Sequence, residues 1–192
     1  MNYKNSLSFA REMDQKDPLK KYREQFYIPI INETECIYFT GNSLGLQPKT
    51  TQDYITNELE NWANFGVEGH FYMKDPWYSY HDFFPEKLSK IVGCKQNEVV
   101  VMNTLTVNIH LLFASFYRPT KSKFKIICEA KAFPSDQYAL QSQAQLHGFD
   151  PEDVIIEVYP RKDEHTLRTE DILAKIEEHK NELALVFFGG IN

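Results

Sequence analysis

Phe124-Lys125-Ile126-Ile127-Cys128, Val154-Ile155-Ile156-Glu157-Val158 and Leu183-Ala184-Leu185-Val186-Phe187-Phe188 are three short apolar runs, and what separates them decides the fold. Ser135 to Leu146 lies between the first two and Thr169 to His179 between the last two, each long enough for a helix; Thr169-Glu170-Asp171 is a helix start. Solidly apolar strands that alternate with helices of about ten residues are the pattern of a parallel sheet covered on both faces. The alternation extends backwards through a predicted helix from Leu105 to Phe116 to a predicted strand at Val99-Val100-Val101. The fold class is α/β.

Upstream the pattern is different. The first ~30 residues predict two short polar helices, the second opened by Asp17-Pro18, and they form an arm. The apolar run Cys36-Ile37-Tyr38-Phe39 then stops at Thr40-Gly41-Asn42-Ser43-Leu44-Gly45, whose two glycines can take positive φ. A helical pattern runs from Pro48 to about Phe65, with Tyr54, Leu59 and Trp62 on one apolar stripe and Gly66 as its stop.

Composition narrows the function. The chain has 192 residues, with 21 Lys plus Arg against 27 Asp plus Glu, a net charge of -6 that argues against a phosphate-backbone binder. No apolar run approaches the ~20 residues of a membrane helix, and the first residues, Met1-Asn2-Tyr3-Lys4-Asn5, carry no apolar leader. A soluble, cytoplasmic protein is expected. Cys36, Cys94 and Cys128 are widely spaced and show no C-x-x-C, so neither a disulfide framework nor a metal site is expected.

Ligands of parallel sheets sit beyond the carboxyl ends of the strands, where helix starts bring free N–H groups together. Asn103-Thr104-Leu105-Thr106-Val107-Asn108 is one such start. Its hydroxyls and amides suit a phosphate, although from this segment alone Thr104 or Thr106 serving as a plain N-cap is the preferred reading. Ala130-Lys131-Ala132-Phe133-Pro134-Ser135-Asp136 is another, with an aromatic ring and a carboxylate within one turn. An aromatic cofactor could stack on Phe133; a hydrophobic staple with Pro134 at the first helical position is the structural alternative. His70, in Gly66-Val67-Glu68-Gly69-His70, leads into Phe71, Tyr72, Trp77 and Tyr78, which either wall an aromatic ligand or pack a surface loop. There is no G-x-G-x-x-G and no P-loop, and the other five histidines form no H-E-x-x-H pair.

Taken in order, Gly41-Asn42-Ser43-Leu44-Gly45-Leu46-Gln47-Pro48, the segment from Asn103 to Asn108, and Glu129-Ala130-Lys131-Ala132-Phe133-Pro134-Ser135-Asp136 resemble the N-terminal portion of kynureninase. Leu146-His147-Gly148 and Thr166-Leu167-Arg168-Thr169-Glu170-Asp171-Ile172-Leu173 are also similar to that family, so the resemblance runs from about residue 33 to the end. It implies a homodimeric, pyridoxal-phosphate-dependent enzyme of the aspartate aminotransferase fold type (fold-type I). Such an enzyme cleaves kynurenine or 3-hydroxykynurenine with water to an anthranilate and alanine, in tryptophan degradation and NAD biosynthesis. By resemblance residues 1–32 are a helical arm contributing to the small domain, and 33–192 the N-terminal part of the large cofactor-binding domain.

The resemblance also assigns residues. Leu105 and Thr106 would hold the cofactor phosphate, Phe133 would stack on the pyridine ring, and Asp136 would lie near the ring nitrogen, with Pro134 and Ser135 in the same cofactor-binding turn. Ser43 and His70 would lie on the substrate side. The lysine that holds the cofactor as a Schiff base, its neighbouring tyrosine, the main aspartate partner of the ring nitrogen and the arginine that grips the substrate carboxylate are expected after residue 192, so no catalytic residue is assigned in this chain. Lys131 has no Schiff-base role in the family motif. A parallel strand at Leu183 to Phe188 that runs into Gly189-Gly190-Ile191-Asn192 is either an edge or has neighbours outside this chain, and the second is the expectation. Two alternatives stand beside this reading: a cysteine desulfurase relative, which would need a reactive cysteine, and a non-catalytic interaction module that pairs through its open strand edge.

Overall fold

A computed structural model describes residues 3–190; Met1-Asn2 and Ile191-Asn192, which the sequence reading touched at both ends, lie outside the described residues. The chain divides into two compact units, Met1–Gln96 and Asn97–Asn192.

The first unit holds α1 (Leu7–Lys16), opened by Ser6, whose hydroxyl accepts from the Phe9 N–H. The second arm helix is a 3-10 segment, Lys20–Gln25, that follows a turn in which Asp17 accepts from the Leu19 N–H; the side chain diverts the backbone into a turn before a full α-helix starts. A small hairpin follows, β1 (Ile30–Ile31) against β2 (Thr34–Glu35), antiparallel. Its turn residues Asn32 and Glu33 both have positive φ, 49° and 63°, the geometry that matches strand twist in two-residue hairpins. Gly41 and Gly45 do not use the left-handed region expected of them. The pattern from Pro48 becomes α2 (Thr51–Phe65), which Gly66 ends at φ 52° as expected. Its stripe is not core: Tyr54, Leu59 and Trp62 are 72%, 58% and 66% exposed. Two short 3-10 segments, Gly66–His70 and Trp77–Phe83, lead to α3 (Pro85–Val92). Only Gly69, Met73 and Ser89 are buried among the described residues of this unit.

The second unit is the α/β part. The strand expected at Val99-Val100-Val101 does not form; those residues are irregular, with Val100 and Val101 exposed. A strand exists only through its ladder, and this segment finds no ladder partner among the described residues. From there α4 (Leu105–Phe116), β3 (Lys125–Glu129), α5 (Pro134–Leu146), a single turn α6 (Pro151–Val154), β4 (Ile155–Val158), α7 (Thr169–His179) and β5 (Leu183–Phe187) follow the predicted alternation. The sheet order is β4-β3-β5, all parallel, with Ile126 opposite both Ile155 and Leu185.

The pleat of β3 explains the layers. Ile126 and Cys128 point to one face and pack with Ile109 and Phe113 of α4 and Ala139, Leu140 and Ala144 of α5. Ile127 points to the other face, where α7 lies against β3 and β4. Ile126 and Ile127 are both fully buried. Tyr117 closes the end of α4 by donating its hydroxyl hydrogen to the Phe124 carbonyl at 2.6 Å, which fixes the carboxyl end of α4 beside the amino end of β3. On the far side, Arg161 grips Asp171 through Nε and Nη2, both at 2.8 Å, and so ties the loop after β4 to the first turn of α7. The guanidinium hydrogen bonds hold the Asp171 carboxyl below the usual aspartate range.

Many apolar side chains of the first unit and of α4 stand exposed, among them Phe116 at 72%.

Two outcomes follow for stability. Leu140→Ala opens a cavity in the shared α4–α5–sheet core and costs about 2–5 kcal/mol in urea unfolding, whereas Leu146→Ala, at a side chain 73% exposed, costs less than about 0.5 kcal/mol. Asp171 is more acidic folded than unfolded, so its contribution is complete above the ordinary aspartate pKa and lost as pH falls through the lowered value. Unfolding curves of the parent and of Asp171→Asn differ at neutral pH, and the difference begins to shrink below about pH 4 and narrows further with acid; a difference that stays constant on acidification contradicts the assignment.

Candidate functional site

The parallel packing of α4 and α5 brings two predicted segments to one end of the sheet. His110 of α4 meets Gln143 of α5 at 3.1 Å, and Tyr117 meets His147 with ring centroids 5.4 Å apart, so the two helices advance in the same direction. Tyr117 anchors the carboxyl end of α4 to the amino end of β3. The amino ends of both helices therefore open at the carboxyl end of β3, the ligand edge of a parallel sheet.

At the start of α4, Thr104 occupies the cap position with extended backbone, φ -65° and ψ 158°, but its side chain makes no capping bond. The first intrahelical bond is from the Asn108 N–H to the Thr104 carbonyl at 3.0 Å. The N–H groups of Leu105, Thr106 and Val107 thus have no acceptor among the described residues. There is no acidic residue in this first turn, and the exposed Leu105 side chain leaves the backbone open. Asn108 braces the approach by donating its amide to the Asn103 carbonyl at 3.0 Å. Three amides at the positive end of a helix, with two threonine hydroxyls beside them, form a donor set without competing carboxylates, and this chemistry fits a phosphate. The plain N-cap reading loses its basis here because the cap bond is absent. Val107, which the sequence reading did not assign, contributes the third amide; the four unpaired N–H groups of any helix start were the available signal.

At the start of α5, Phe133 sits at the cap position, 72% exposed, with its ring against no other aromatic ring among the described residues. Its carbonyl accepts from the N–H groups of Asp136 and Gln137, at 2.9 and 3.2 Å, which fixes the backbone from which the ring projects. Pro134 stands at the first helical position, and the half-buried Ser135 donates to Asp136 Oδ1 at 3.3 Å. An uncovered ring excludes the staple and leaves a flat apolar face beside a carboxylate. The turn before it is strained: Lys131 has φ 59°, a left-handed conformation that costs an L-residue about 1–2 kcal/mol. A planar heteroaromatic with a protonated nitrogen and a phosphate matches this pair of helix starts, so the residues fit pyridoxal phosphate.

Ser43 and His70 belong to the first unit. Ser43 lies in a turn where its N–H and that of Leu44 donate to the Thr40 carbonyl, at 2.9 and 3.2 Å, and the Tyr38 hydroxyl closes the turn onto the Leu44 carbonyl at 2.5 Å. That tyrosine clasp was not anticipated. His70 places Nδ1 2.9 Å from the Val67 carbonyl. Nothing hydrogen-bonds Ser43 to His70 among the described residues. Phe71, Tyr72 and Tyr78 are exposed, and Phe71 meets both tyrosines, with centroids 5.7 Å from Tyr78 and 6.3 Å from Tyr72, so they form a surface cluster and not a core.

Cys128 is buried, and burial beside Glu157 and Glu129 pushes its thiol up to about 12. A thiol held protonated is no nucleophile at neutral pH, which removes this cysteine from the desulfurase alternative.

No protein-family model matches the chain. It is 57% identical over 192 residues to a kynureninase of Flavobacterium psychrophilum, covering 100% of this chain and 45% of that protein. It is 52% identical over 191 residues to one of Myxococcus xanthus, with 99% and 45% covered, and 45% identical over 195 residues to one of Rattus norvegicus, with 95% and 42% covered. The chain thus spans about 45% of the length of these curated relatives. Along its whole length it is similar to the N-terminal portion of kynureninase.

Proposed function

We propose that the gene product carrying this chain is a kynureninase, which hydrolyses the Cβ–Cγ bond of L-kynurenine or 3-hydroxy-L-kynurenine to anthranilate or 3-hydroxyanthranilate and L-alanine. The observation that carries this reading is similarity without interruption through both helix starts that form the ligand edge. The sheet order and the doubly covered central strand support a large domain of pyridoxal-phosphate fold-type I over residues 33–192, with residues 1–32 as an arm toward the small domain. The uncovered apolar stripe of α2 supports a homodimer. Tryptophan degradation and NAD biosynthesis, in the cytoplasm, are the setting that goes with this activity.

Pyridoxal phosphate, when bound, withdraws electrons from the substrate carbon that bears the amine. This chain's residues bind and orient. Leu105, Thr106 and Val107 direct backbone N–H groups at the phosphate, where the helix dipole adds to each hydrogen bond. Phe133 would stack on the cofactor ring, and Asp136, in the same turn as Pro134 and Ser135, would favour a proton on the ring nitrogen. Ser43 and His70 contact the substrate, His70 toward its aromatic end. The lysine that holds the cofactor lies beyond residue 192 in this reading, so the chain supplies half of the site.

Purified native gene product loaded with pyridoxal phosphate releases anthranilate and alanine in equal amounts from L-kynurenine and no sulfide from L-cysteine. Residues 1–192 alone release neither. Sulfide from cysteine with no anthranilate from kynurenine overturns the proposal.

A further inference from the structure

His70 does not stand free in its loop. Nδ1 faces a carbonyl, which only accepts, so Nδ1 carries the hydrogen and donates to Val67 at 2.9 Å. Nε2 is then left as the acceptor of the ring. The imidazole meets Trp77 edge-on, with centroids 5.3 Å apart and planes at 90°. Trp77 also covers Gly69: a Cβ built on that buried glycine would lie 2.9 Å from Cζ3 of the indole and 3.1 Å from Cη2. Only a residue without a side chain lets the indole lie this close to the backbone that carries His70. The indole is held in turn, because Trp77 Nε1–H donates to Glu58 Oε2 of α2 at 2.7 Å, a partly buried, charge-assisted bond.

We propose that Trp77, anchored by Glu58 and seated on Gly69, is the positioning residue that fixes the orientation of the His70 imidazole and so holds it in the tautomer that the Val67 carbonyl selects. This rests on the reading that places His70 on the substrate side. The bond to Val67 alone leaves the imidazole free to swing about that single contact; the indole removes the swing. A ring held in one orientation with Nε2 as acceptor offers a fixed lone pair to an N–H or O–H donor on the aromatic end of the substrate. A ring that swings or exchanges tautomers offers it only part of the time. Loss of about an ångström of placement costs up to about 10²-fold in rate.

The test uses the native gene product loaded with pyridoxal phosphate, and two readouts. The first is the nitrogen chemical shifts of the His70 ring, which report the tautomer whatever the residue does in catalysis. The parent shows Nδ1 protonated and Nε2 bare; Glu58→Ala and Trp77→Leu shift both nitrogens toward an averaged pair, and Glu58→Gln, which still accepts from the indole, restores the parent pattern. The second is steady-state kinetics with L-kynurenine. Glu58→Ala and Gly69→Ala lower kcat/KM about 10-fold or more, and Glu58→Gln recovers most of the loss. Because Glu58 variants remove the anchor of the indole and leave the indole itself in place, they keep the question answerable if Trp77→Leu does not fold. Unchanged His70 shifts in Glu58→Ala and Trp77→Leu overturn the positioning role. Altered shifts with unaltered kinetics, together with a kinetically silent His70→Ala, overturn instead the placement of His70 at the substrate and leave the brace standing as a purely conformational device.

Discussion

Burial of Ile126 and Ile127 on opposite faces of one strand is the constraint from which the α/β unit follows. Two consecutive isoleucines with no solvent exposure require cover on both sides of β3. One side is supplied by α4 and α5, and the other by α7. The order β4-β3-β5 is what permits this: the chain leaves β3 through α5 to one neighbour and returns across the opposite face through α7 to the other. Each isoleucine side chain buried in this way is worth about 1.5–3 kcal/mol. The same packing makes α4 and α5 run side by side in one direction, and that direction delivers both of their amino ends to the carboxyl end of β3. The ligand edge is thus a consequence of how the core is covered.

Much of this is legible in the sequence. The apolar runs at 124–128, 154–158 and 183–188 became strands within a residue or so, and the helices at 105–116 and 169–179 have the bounds read from their pattern. Each carries its own local signal, β-branching in one case and amphipathic spacing with an acidic start in the other. Val99 to Val101 carries the same strand signal and yet stays irregular, because a ladder needs a partner that local sequence does not specify. The hairpin at residues 30 to 35 was missed for the opposite reason: its turn uses Asn32 and Glu33 at positive φ, where a glycine would have announced it. The stripe on α2 was read correctly as apolar, but periodicity reports only that a face is apolar and not what covers it.

The candidate site divides along the same line. The two helix starts were legible because unpaired amides at a helix terminus and an aromatic beside a first-turn carboxylate are local facts. The supports behind the site were not. The Tyr38 clasp on the Leu44 carbonyl spans six residues, and the bond from Trp77 to Glu58 joins residues nineteen apart. Such pairs depend on how a loop folds back on itself, which neither composition nor spacing encodes. The glycine beneath Trp77 is informative once the contact is known, since its lack of a side chain is what the close approach needs. The first unit buries little and exposes most of its rings, so its local order comes from these few specific bonds and not from a broad core.

The phosphate site proposed at the start of α4 rests on its unpaired backbone amides. Backbone amide resonances of Leu105, Thr106 and Val107 in the native gene product test it directly, followed during titration with pyridoxal phosphate and, in parallel, with pyridoxal lacking the phosphate. The account predicts that the phosphorylated ligand moves these three amides downfield together with those flanking Phe133, and that pyridoxal leaves the α4 amides in place. Movement of the α4 amides by both ligands alike, or by neither, contradicts it.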